Sequence, residues 1–315
     1  MKQILIIIFW VPLFSSAQLQ WKNVDSMYQP LPKGTHIFFT NDSMEGKPNI
    51  AYYFIADLKN KQLDFIADAK NGTRLTPTQY FEKDNHPLLI VNCTFFEFVH
   101  NSNLNLVVND GKVLANSMQS IANRGKDTFT YRHVFKSAIS IDKHRNADVA
   151  WVFSDTAKQY AYVSQTAITS FKDSAAYYSL KEIKSKNIAL NKWKVKTAVG
   201  GGPVIIQDSQ IKISNEEEQM FTGKAINDKH PRTAMGYTSD GKLIVLVIQG
   251  RFPNKAEGAT LLQEAKILQD LHCKEALNLD GGGSSCMLIN GKQTIQPSDK
   301  EGQRPVPAVF IVREK

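Results

Sequence analysis

Two segments in the N-terminal third of the chain have the residue pattern of β-strands. Aromatic and β-branched residues dominate positions 49–58 and 62–68, with Asn60 and Lys61 between them. Such residues favour the pleated, half-buried surface of a sheet, so the pattern predicts two strands joined by a turn. A further strand is predicted at 149–153, where the same residue types recur.

Dipeptides with a strong tendency to form turns separate several other apolar segments. Asp110-Gly111, Asp240-Gly241 and Asn290-Gly291 each lie between two apolar runs. Both central residues of such a turn take positive φ at little cost, so each pair predicts a β-hairpin. Because hairpins join neighbouring antiparallel strands, the sequence predicts mixed and largely antiparallel sheets.

Helices are predicted in three places. Thr76, Pro77 and Gln79 have the pattern of a helix start, since threonine suits the N-cap and proline the first helical position. A second helix is predicted around 170–186. In the third, 259–272, apolar residues recur at steps of four, three and three and line one helical face. Helices that flank largely antiparallel sheets define an α+β fold.

The composition is typical of a globular protein. Hydrophobic residues make up 42% and charged residues 22% of the 315 residues. No linker, internal repeat or low-complexity stretch divides the chain. We therefore expect a single compact α+β domain over 18–315, with mixed and largely antiparallel sheets flanked by helices.

The first 17 residues have the pattern of a secretory signal peptide. Lys2 supplies a positive start, 4–14 form an apolar run, and small residues at 15–17 suit a cleavage site. An apolar run of 11 residues is shorter than the roughly 20 needed to span a bilayer. We therefore expect an exported protein, periplasmic or secreted, with no stable membrane insertion after signal cleavage.

The net charge bears on the class of ligand, and the number of cysteines bears on disulfide bonding. A formal net charge of +8 is spread along the chain, which suits an anionic substrate. A basic stripe with interleaved aromatic residues is absent from the sequence, so nucleic acid is not expected. The three cysteines, Cys93, Cys273 and Cys286, leave at least one thiol free, and we expect them to act as small buried apolar residues.

Two polar residues interrupt or adjoin predicted strands. "HPLLIVNCTFF" predicts a buried strand with Asn92 inside it, so the amide either braces backbone or faces a ligand. Arg232 directly precedes a strand that runs to the turn at 240–241, and its planar guanidinium suits a phosphate or carboxylate. An ordinary surface arginine fits the same pattern.

Two glycine runs are candidates for contact with a ligand. The glycines at 200–202 precede a proline and an apolar strand, where a structural bulge or a close approach to a bulky group requires glycine. In "ALNLDGGGSS", Asp280 follows a predicted strand at 276–279, and its glycines could gather N–H groups around an anion. A tight turn with Asp280 as its first residue fits equally well.

Familiar nucleophile, nucleotide and zinc motifs do not fit the sequence. Ser284 has Gly282 before it and Cys286 after it, so the Gly-x-Ser-x-Gly pattern of a nucleophile elbow is not formed. Neither glycine run matches a phosphate loop or a dinucleotide fingerprint. The seven histidines include no HExxH and no close pair, which argues against zinc.

Five segments taken together resemble the phosphodiester glycosidase family. They are, in chain order, "VNCTFF", "VGGGPV", "HPRTAMG", "VIQGR" and "LNLDGGGSS", and the resemblance extends over roughly 49–312. The most specific elements are "PRTA" and "NLDGGGSS" with a helix between them. Where the family pattern reads Asn-Gly-Gly-Phe-Phe, this chain has Asn92-Cys93-Thr94-Phe95-Phe96, so two glycines are replaced.

The resemblance implies hydrolysis of a sugar 1-phosphodiester at the bond between the anomeric carbon and oxygen. The sugar is then released from a phosphate monoester. Arg232 and the glycine N–H groups suit the single negative charge of the diester. The leaving phosphate, whose second pKa is about 6, departs as a stable anion. A strong general acid is therefore less necessary than in glycosidases that use two carboxylates.

The resemblance also assigns roles to the matched residues. Asp280, Arg232 and Asn92 are expected to be catalytic, with Asp280 either attacking the anomeric carbon or activating water. Glu97 and Glu257 are candidate partner carboxylates outside the matched core. The expected substrate-binding residues are Thr233, Arg251, Gly201, Gly202, Gly281, Gly282, Gly283, Ser284, Ser285, Phe95 and Phe96.

Two other functions fit the same residues. One is a non-catalytic envelope glycan-binding protein that keeps the scaffold, and the other is a phosphodiesterase that cleaves at phosphorus. The expected partner is a small-molecule sugar phosphate or glycan. No cofactor and no metal site is predicted, and a divalent cation at Asp280 stays open because aspartates bind Ca²⁺ or Mg²⁺.

Overall fold

Antiparallel pairing organises the strands of this protein. The computed structural model describes residues 18–70 and 72–315, and the strand pairs in this part of the chain are antiparallel. The predicted signal peptide at 1–17 lies outside the described residues. In chain order the strands are β1 (Lys22–Asn23), β2 (Thr35–Thr40), β3 (Ala51–Asp57), β4 (Leu63–Ala69), β5 (Leu89–Asn92), β6 (Val107–Asn109), β7 (Lys112–Ala115), β8 (Ser120–Ala122), β9 (Tyr131–His133), β10 (Ser137–Ile141), β11 (Ala147–Phe153), β12 (Tyr162–Ser164), β13 (Phe171–Asp173), β14 (Asn191–Lys192), β15 (Thr197–Gly200), β16 (Val204–Gln207), β17 (Gln210–Ile211), β18 (Arg232–Thr238), β19 (Lys242–Ile248), β20 (Cys273–Asn278), β21 (Met287–Ile289), β22 (Lys292–Gln293) and β23 (Ala308–Glu314).

The strands form four sheets. Their orders are β1-β2-β3-β19-β18-β20-β16-β17, β14-β12-β11-β10-β15-β6-β7, β13-β9-β8 and β22-β21-β5-β23-β4. The three predicted hairpins are confirmed, because turns at the predicted dipeptides join β6 to β7, β18 to β19 and β21 to β22. With the short helices described below, these sheets confirm the predicted α+β fold, largely antiparallel and in one compact domain.

The two predicted N-terminal strands are present, but they belong to different sheets. β3 pairs with β2 and β19, whereas β4 pairs with β23. The N–H of Leu63 donates to the carbonyl oxygen of Asn60 at 3.2 Å in the turn between them. That turn therefore carries the chain from one sheet to another instead of closing a hairpin.

Short capped helices lie among the sheets. They are α1 (Pro77–Lys83), α2 (Leu180–Ser185), α3 (Asn215–Glu218) and α4 (Leu261–Asp270). The predicted start of α1 is confirmed, because the Thr76 hydroxyl accepts the Gln79 N–H and the Gln79 side chain accepts the Thr76 N–H. The third predicted helix is α4, capped in the same manner by Thr260 and Gln263. No helix in the described residues is long and apolar enough to cross a membrane.

The helix predicted at 170–186 is wrong in its first half. Phe171–Asp173 is strand β13, and the helix begins only at Leu180. The carboxylate of Asp173 accepts the N–H groups of the next two residues, and the Ser179 hydroxyl then caps α2. Local hydrogen bonds from side chain to backbone therefore separate a strand from a helix within a segment whose composition suggests one continuous helix.

The apolar core lies between the sheets. Trp151, Phe54 and Phe310 are among its largest buried side chains and belong to one cluster. A second cluster lies between the eight-stranded sheet and α4, which contributes Leu261 and Leu268. The three cysteines are buried and form no disulfide, in agreement with the prediction that they act as small apolar residues.

Strand ends from three sheets meet at one place. β5 ends at Asn92 in the five-stranded sheet, β15 at Gly200 in the seven-stranded sheet, and β20 at Asn278 in the eight-stranded sheet. The N–H of Asp280 donates to the carbonyl oxygen of Cys93 at 2.8 Å, and the glycine run after β15 bonds to the end of β20. The fold therefore gathers segments that are far apart in the sequence.

Candidate active site

Asp280 lies two residues beyond the end of β20, and its backbone is fixed on both sides. Its N–H donates to Cys93, and its carbonyl oxygen accepts the Nδ2 amide of Asn92 at 2.5 Å. The preceding residue, Leu279, donates its N–H to the carbonyl oxygen of Thr233 at 2.7 Å. Hydrogen bonds to two neighbouring sheets therefore fix the position of the Asp280 backbone.

The carboxyl group of Asp280 is desolvated, although the residue as a whole keeps some exposed surface. Burial raises its pKa from 3.8 to about 7, because a charged carboxylate is disfavoured away from water. The Ser284 hydroxyl, the Arg304 guanidinium and the Gly281 N–H favour the charged form, but burial outweighs them. At neutral pH the carboxyl group is therefore divided between its charged and protonated forms.

Asn92 is fully buried and uses its side-chain amide within the protein. Its Oδ1 atom lies 3.0 Å from the Thr233 hydroxyl and accepts the Cys286 N–H at 3.1 Å. The Thr233 hydroxyl lies 3.1 Å from the Ser285 hydroxyl, and both of these residues are also fully buried. The structure thus brings Asn92, Thr233 and Ser285 together behind the Asp280 backbone, in a bracing arrangement.

The three glycines after Asp280 form a tight turn. The N–H of Gly282 donates to the carbonyl oxygen of Pro231 at 2.8 Å, and the N–H of Ser284 donates to that of Gly281 at 3.2 Å. The Gly281 N–H faces the Asp280 carboxyl group. The N–H groups of Gly281, Gly282 and Ser284 are thus used inside the protein, as in the tight turn that the sequence also allows.

Two guanidinium groups pack against the glycines of this turn. A Cβ on Gly282 would lie 3.0 Å from an Nη atom of Arg251, and one on Gly283 would collide with Arg304. Arg251 is exposed and forms no ion pair within 18–70 and 72–315. Arg304 pairs with Asp299 at 2.6 Å. The positive charge beside Asp280 therefore comes from arginine side chains.

Arg232 is the first residue of β18 and is only 2% exposed. Its Nε atom donates to the carbonyl oxygen of Ala259 at 2.9 Å, and Nη2 donates to that of Asp228 at 3.2 Å. The structure thus places this guanidinium inside the protein, where backbone carbonyl oxygens accept two of its N–H groups. It therefore does not present the open fork to a phosphate that the sequence suggests.

Glu264 on α4 is an acidic neighbour of Arg232. It is fully buried, and neither carboxyl oxygen has a hydrogen-bond partner in the described part of the chain. Burial raises the pKa of Glu264 to about 8, and Arg232 opposes this shift. Burial also lowers the pKa of Arg232 in spite of Glu264, but an arginine stays charged at neutral pH. Glu264 is therefore mainly protonated at pH 7.

The glycine run after β15 lies inside the protein. Gly201 and Gly202 are buried, and their carbonyl oxygens accept the side-chain amides of Asn105 at 2.8 Å and Asn278 at 2.7 Å. A Cβ on Gly201 would collide with the backbone of Asn278, and one on Gly202 with the carboxylate of Glu218. This run therefore has a packing role between sheets, and the structure does not bring it to the exposed side of Asp280.

The predicted aromatic residues Phe95 and Phe96 pack against other phenylalanines. Phe95 is partly exposed, and its ring centroid lies 6.1 Å from that of Phe221. Phe96 is 9% exposed and packs against Phe98, with 4.8 Å between ring centroids.

The two candidate partner carboxylates make other contacts. Glu97 accepts the N–H groups of Val99 and His100, both at 2.7 Å, within its own loop. Glu257 lies 3.8 Å from Lys47 and 3.9 Å from a second lysine. In the described ranges, no three side chains of His, Cys, Asp or Glu are grouped so as to hold a metal ion.

Arg304 and Glu264 are two residues of the site that sequence reasoning misses. Arg304 lies outside the five motif segments, and its local sequence gives no sign of its contact with Gly283. Glu264 does leave a signal, because it falls between Leu261 and Leu268 on the apolar face of α4. A charged residue on that face is unusual and indicates a special environment.

The strand-end carboxyl group and the flanking guanidinium groups lie in the part of the chain that matches a known family. The family model described as Phosphodiester glycosidase matches residues 85–313. This range includes Asn92, Arg232, Arg251 and Asp280. The chain belongs to the phosphodiester glycosidase family.

Individual relatives match over shorter stretches. The chain is 35% identical over 95 residues to YomE, an uncharacterized SPbeta prophage-derived protein of Bacillus subtilis strain 168. It is 32% identical over 102 residues to the N-acetylglucosamine-1-phosphodiester alpha-N-acetylglucosaminidase of Mus musculus. These matches cover 30% and 32% of this chain, and 14% and 19% of the respective relatives. The chain thus spans less than a fifth of the length of these curated relatives.

Two solved structures share the fold over most of the chain. The catalytic domain of zebrafish N-acetylglucosamine-1-phosphodiester alpha-N-acetylglucosaminidase, auto-inhibited by its pro-peptide, has a TM-score of 0.61 and 19% identity, covering 95% of this chain and 89% of that chain. A hypothetical protein from Synechocystis has a TM-score of 0.64 and 14% identity, covering 95% of this chain and 68% of that chain. At these identities the likeness concerns the fold.

Proposed function

We propose that this protein hydrolyses a sugar 1-phosphodiester, cleaving between the anomeric carbon and oxygen and releasing the sugar from a phosphate monoester. The observation that carries the proposal is the Asp280 carboxyl group, which has a pKa of about 7. It precedes a turn of three glycines against which Arg251 and Arg304 pack. Membership of the phosphodiester glycosidase family supports this reaction class. The name of the mouse relative supports a glycosyl phosphodiester as the substrate.

In the proposed mechanism, Asp280 acts as the general base. Its carboxylate takes a proton from water, and the water oxygen bonds to the anomeric carbon. The electron pair of the broken carbon–oxygen bond leaves with the phosphate. A pKa of about 7 makes Asp280 a stronger base than an ordinary aspartate and still leaves much of it charged at neutral pH.

Arg251 and Arg304 bind the phosphate in this scheme. A guanidinium offers parallel N–H donors that suit phosphate oxygens, and both groups lie against the turn that follows Asp280. They stabilise the negative charge that develops on the departing phosphate. The ion pair with Asp299 holds Arg304 in position before the substrate arrives. The leaving phosphate then needs little protonation, since its second pKa is about 6.

Asn92, Thr233 and Arg232 act as positioning residues in this proposal. Asn92 and Thr233 hold the backbone at Asp280 and at the residue before it. Arg232 ties the start of β18 to the carbonyl oxygen of Ala259. Pro231, the residue before Arg232, accepts the N–H of Gly282. The hydrogen bond between Arg232 and Ala259 therefore also supports the glycine turn.

We also propose that the protein acts outside the cytoplasm. The signal-like pattern at 1–17 supports export, although those residues lie outside the described part of the chain. A formal net charge of +8 suits work on anionic glycans.

Sugar release from a panel of glycosyl methyl phosphodiesters tests the proposed reaction. Asp280→Asn keeps the size of the side chain but removes the base, so we expect kcat to fall about 100- to 10,000-fold. Asp110→Asn, in the exposed turn between β6 and β7, is the matched control and should keep the wild-type rate. Near-normal turnover by folded Asp280→Asn protein would show that Asp280 is not the base.

A further inference from the structure

An exposed aromatic residue and two arginines form a cluster next to the candidate active site. Phe98 is 61% exposed, and its ring packs against Phe96. The guanidinium carbon of Arg74 lies 5.2 Å from the Phe98 ring centroid and 5.3 Å from that of Phe96. The guanidinium carbon of Arg304 lies 5.7 Å from the Phe98 centroid. We refer to Arg74, Phe96, Phe98 and Arg304 as the arginine–phenylalanine platform.

Arg304 connects this platform to Asp280. The guanidinium that lies over Phe98 also packs against Gly283 and lies 3.5 Å from the Ser284 hydroxyl. The same group favours the charged form of the Asp280 carboxyl. Arg304 therefore contacts both the glycine turn after Asp280 and the ring of Phe98.

Glu97 fixes the loop that presents Phe98. Its carboxylate accepts the N–H groups of Val99, His100 and Ser102 at 2.7, 2.7 and 3.2 Å. These bonds hold the loop in one conformation while the Phe98 ring stays open to solvent. Binding to a surface that is already ordered loses less conformational entropy, which favours affinity.

We propose that the arginine–phenylalanine platform is the subsite for the aglycone, and that it selects phosphodiesters whose aglycone carries a second acidic group, a phosphate or a carboxylate. This inference rests on the proposed function, because it assumes a glycosyl phosphate at Asp280. The apolar part of the aglycone packs on Phe98, and the second acidic group pairs with Arg74.

The available charges favour a second acidic group. A phosphodiester has one negative charge, and Arg251 and Arg304 already flank the turn that would hold it. Arg74 forms no ion pair in the described residues, so its charge is not neutralised by a carboxylate of the protein. A neutral aglycone would leave this cation without a counter-charge, whereas an acidic group gives it a charge-assisted hydrogen bond.

Calorimetric binding of two ligands to Asp280→Asn protein, in which turnover is blocked, tests the subsite. One ligand is a glycosyl methyl phosphodiester, and the other has a phosphopropyl group in place of the methyl group. We expect the second ligand to bind about tenfold more tightly, as one charge-assisted hydrogen bond would give. Arg74→Gln should remove this advantage, and Phe98→Ala should weaken the phosphopropyl ligand more than the methyl ligand.

Two exposed residues on the loop between β8 and β9 provide matched controls. Arg124→Gln and Phe129→Ala change the same residue types away from the platform and should keep the tenfold difference; Phe129 is 89% exposed. Equal affinity of the two ligands, or an equal loss for both in Arg74→Gln, would overturn the subsite. If Asp280→Asn protein distinguishes the two ligands but wild-type protein releases no sugar from them, the proposed function is overturned and the subsite stands. If neither ligand binds, both the subsite and the proposed function are overturned.

Discussion

The carboxyl group of Asp280 holds its proton more tightly in the folded protein than in an unfolded chain, because burial raises its pKa from 3.8 to about 7. The folded state therefore binds more protons than the unfolded state between these two pH values, and this group lowers folding stability as pH rises through that window. The same shift makes the carboxylate a better base near neutral pH. The basicity proposed for this residue and its cost to folding stability have one physical cause, which is burial.

Arg304→Gln should change the pH dependence of the reaction. Arg304 lowers the pKa of Asp280, so its removal raises that pKa and leaves less of the base deprotonated in mild acid. We expect the loss of kcat/KM to be about threefold larger at pH 6 than at pH 8. Arg251→Gln is the comparison, because Arg251 is not among the groups that shift the pKa of Asp280. Parallel pH profiles for both variants would contradict this role of Arg304.

Sequence motifs single out Asp280 and Arg251 because both lie in patterns of strand, glycine and charge that can be read along the chain. Arg304 and Arg74 leave no such pattern, since each reaches the site from another part of the fold. Asn92 shows a different limit. The sequence marks it as a buried amide but does not say which partners it has, and the structure gives it the Asp280 carbonyl oxygen.

At the scale of elements, the site depends on how strand ends from three sheets pass one another. The glycine run after β15 permits the close approach of β20, and its carbonyl oxygens accept side-chain amides from both sides. Behind it lies Glu218, whose carboxylate accepts the backbone N–H groups of Ser137 and Val204, both at 2.9 Å. Glycine at this position therefore matters for assembly of the sheets more than for contact with a ligand.

Gly202→Ala should destabilise the fold strongly. The residue has φ +130°, and an added Cβ would collide with the fully buried carboxylate of Glu218. We expect the free energy of unfolding to fall by about 3 kcal/mol or more, measured by urea denaturation. Gly125→Ala is the matched control, since Gly125 also has positive φ but open space around its Cβ position, and should cost about 1 kcal/mol. Equal losses for both variants would rule out the packing explanation.

The elements with their own local signals are the ones that the sequence predicts well. α4 has both an apolar stripe and a capping box, and the three hairpins have their turn dipeptides. The segment at 170–186 lacks a clear period, and side-chain hydrogen bonds decide where its strand ends and α2 begins. The separation of β3 and β4 into different sheets depends on β19 and β23, which are distant in sequence. Such pairing cannot be read from either strand alone.

At the scale of the whole molecule, family membership supports the proposed reaction class, and the local charges support the proposed substrate. The family match covers residues 85–313, whereas individual curated relatives match over less than a third of the chain. The substrate class is therefore inferred from Asp280, its two flanking guanidinium groups and the arginine–phenylalanine platform. The fold supplies the scaffold that holds these groups together.

The position of bond cleavage is the most direct test of the central claim. Wild-type protein should be incubated with a glycosyl phosphodiester in oxygen-18 water, and the products analysed by mass spectrometry. Attack at the anomeric carbon, as proposed for water activated by Asp280, puts the label in the released sugar and none in the phosphate monoester. Label in the phosphate would show cleavage at phosphorus and would contradict the account.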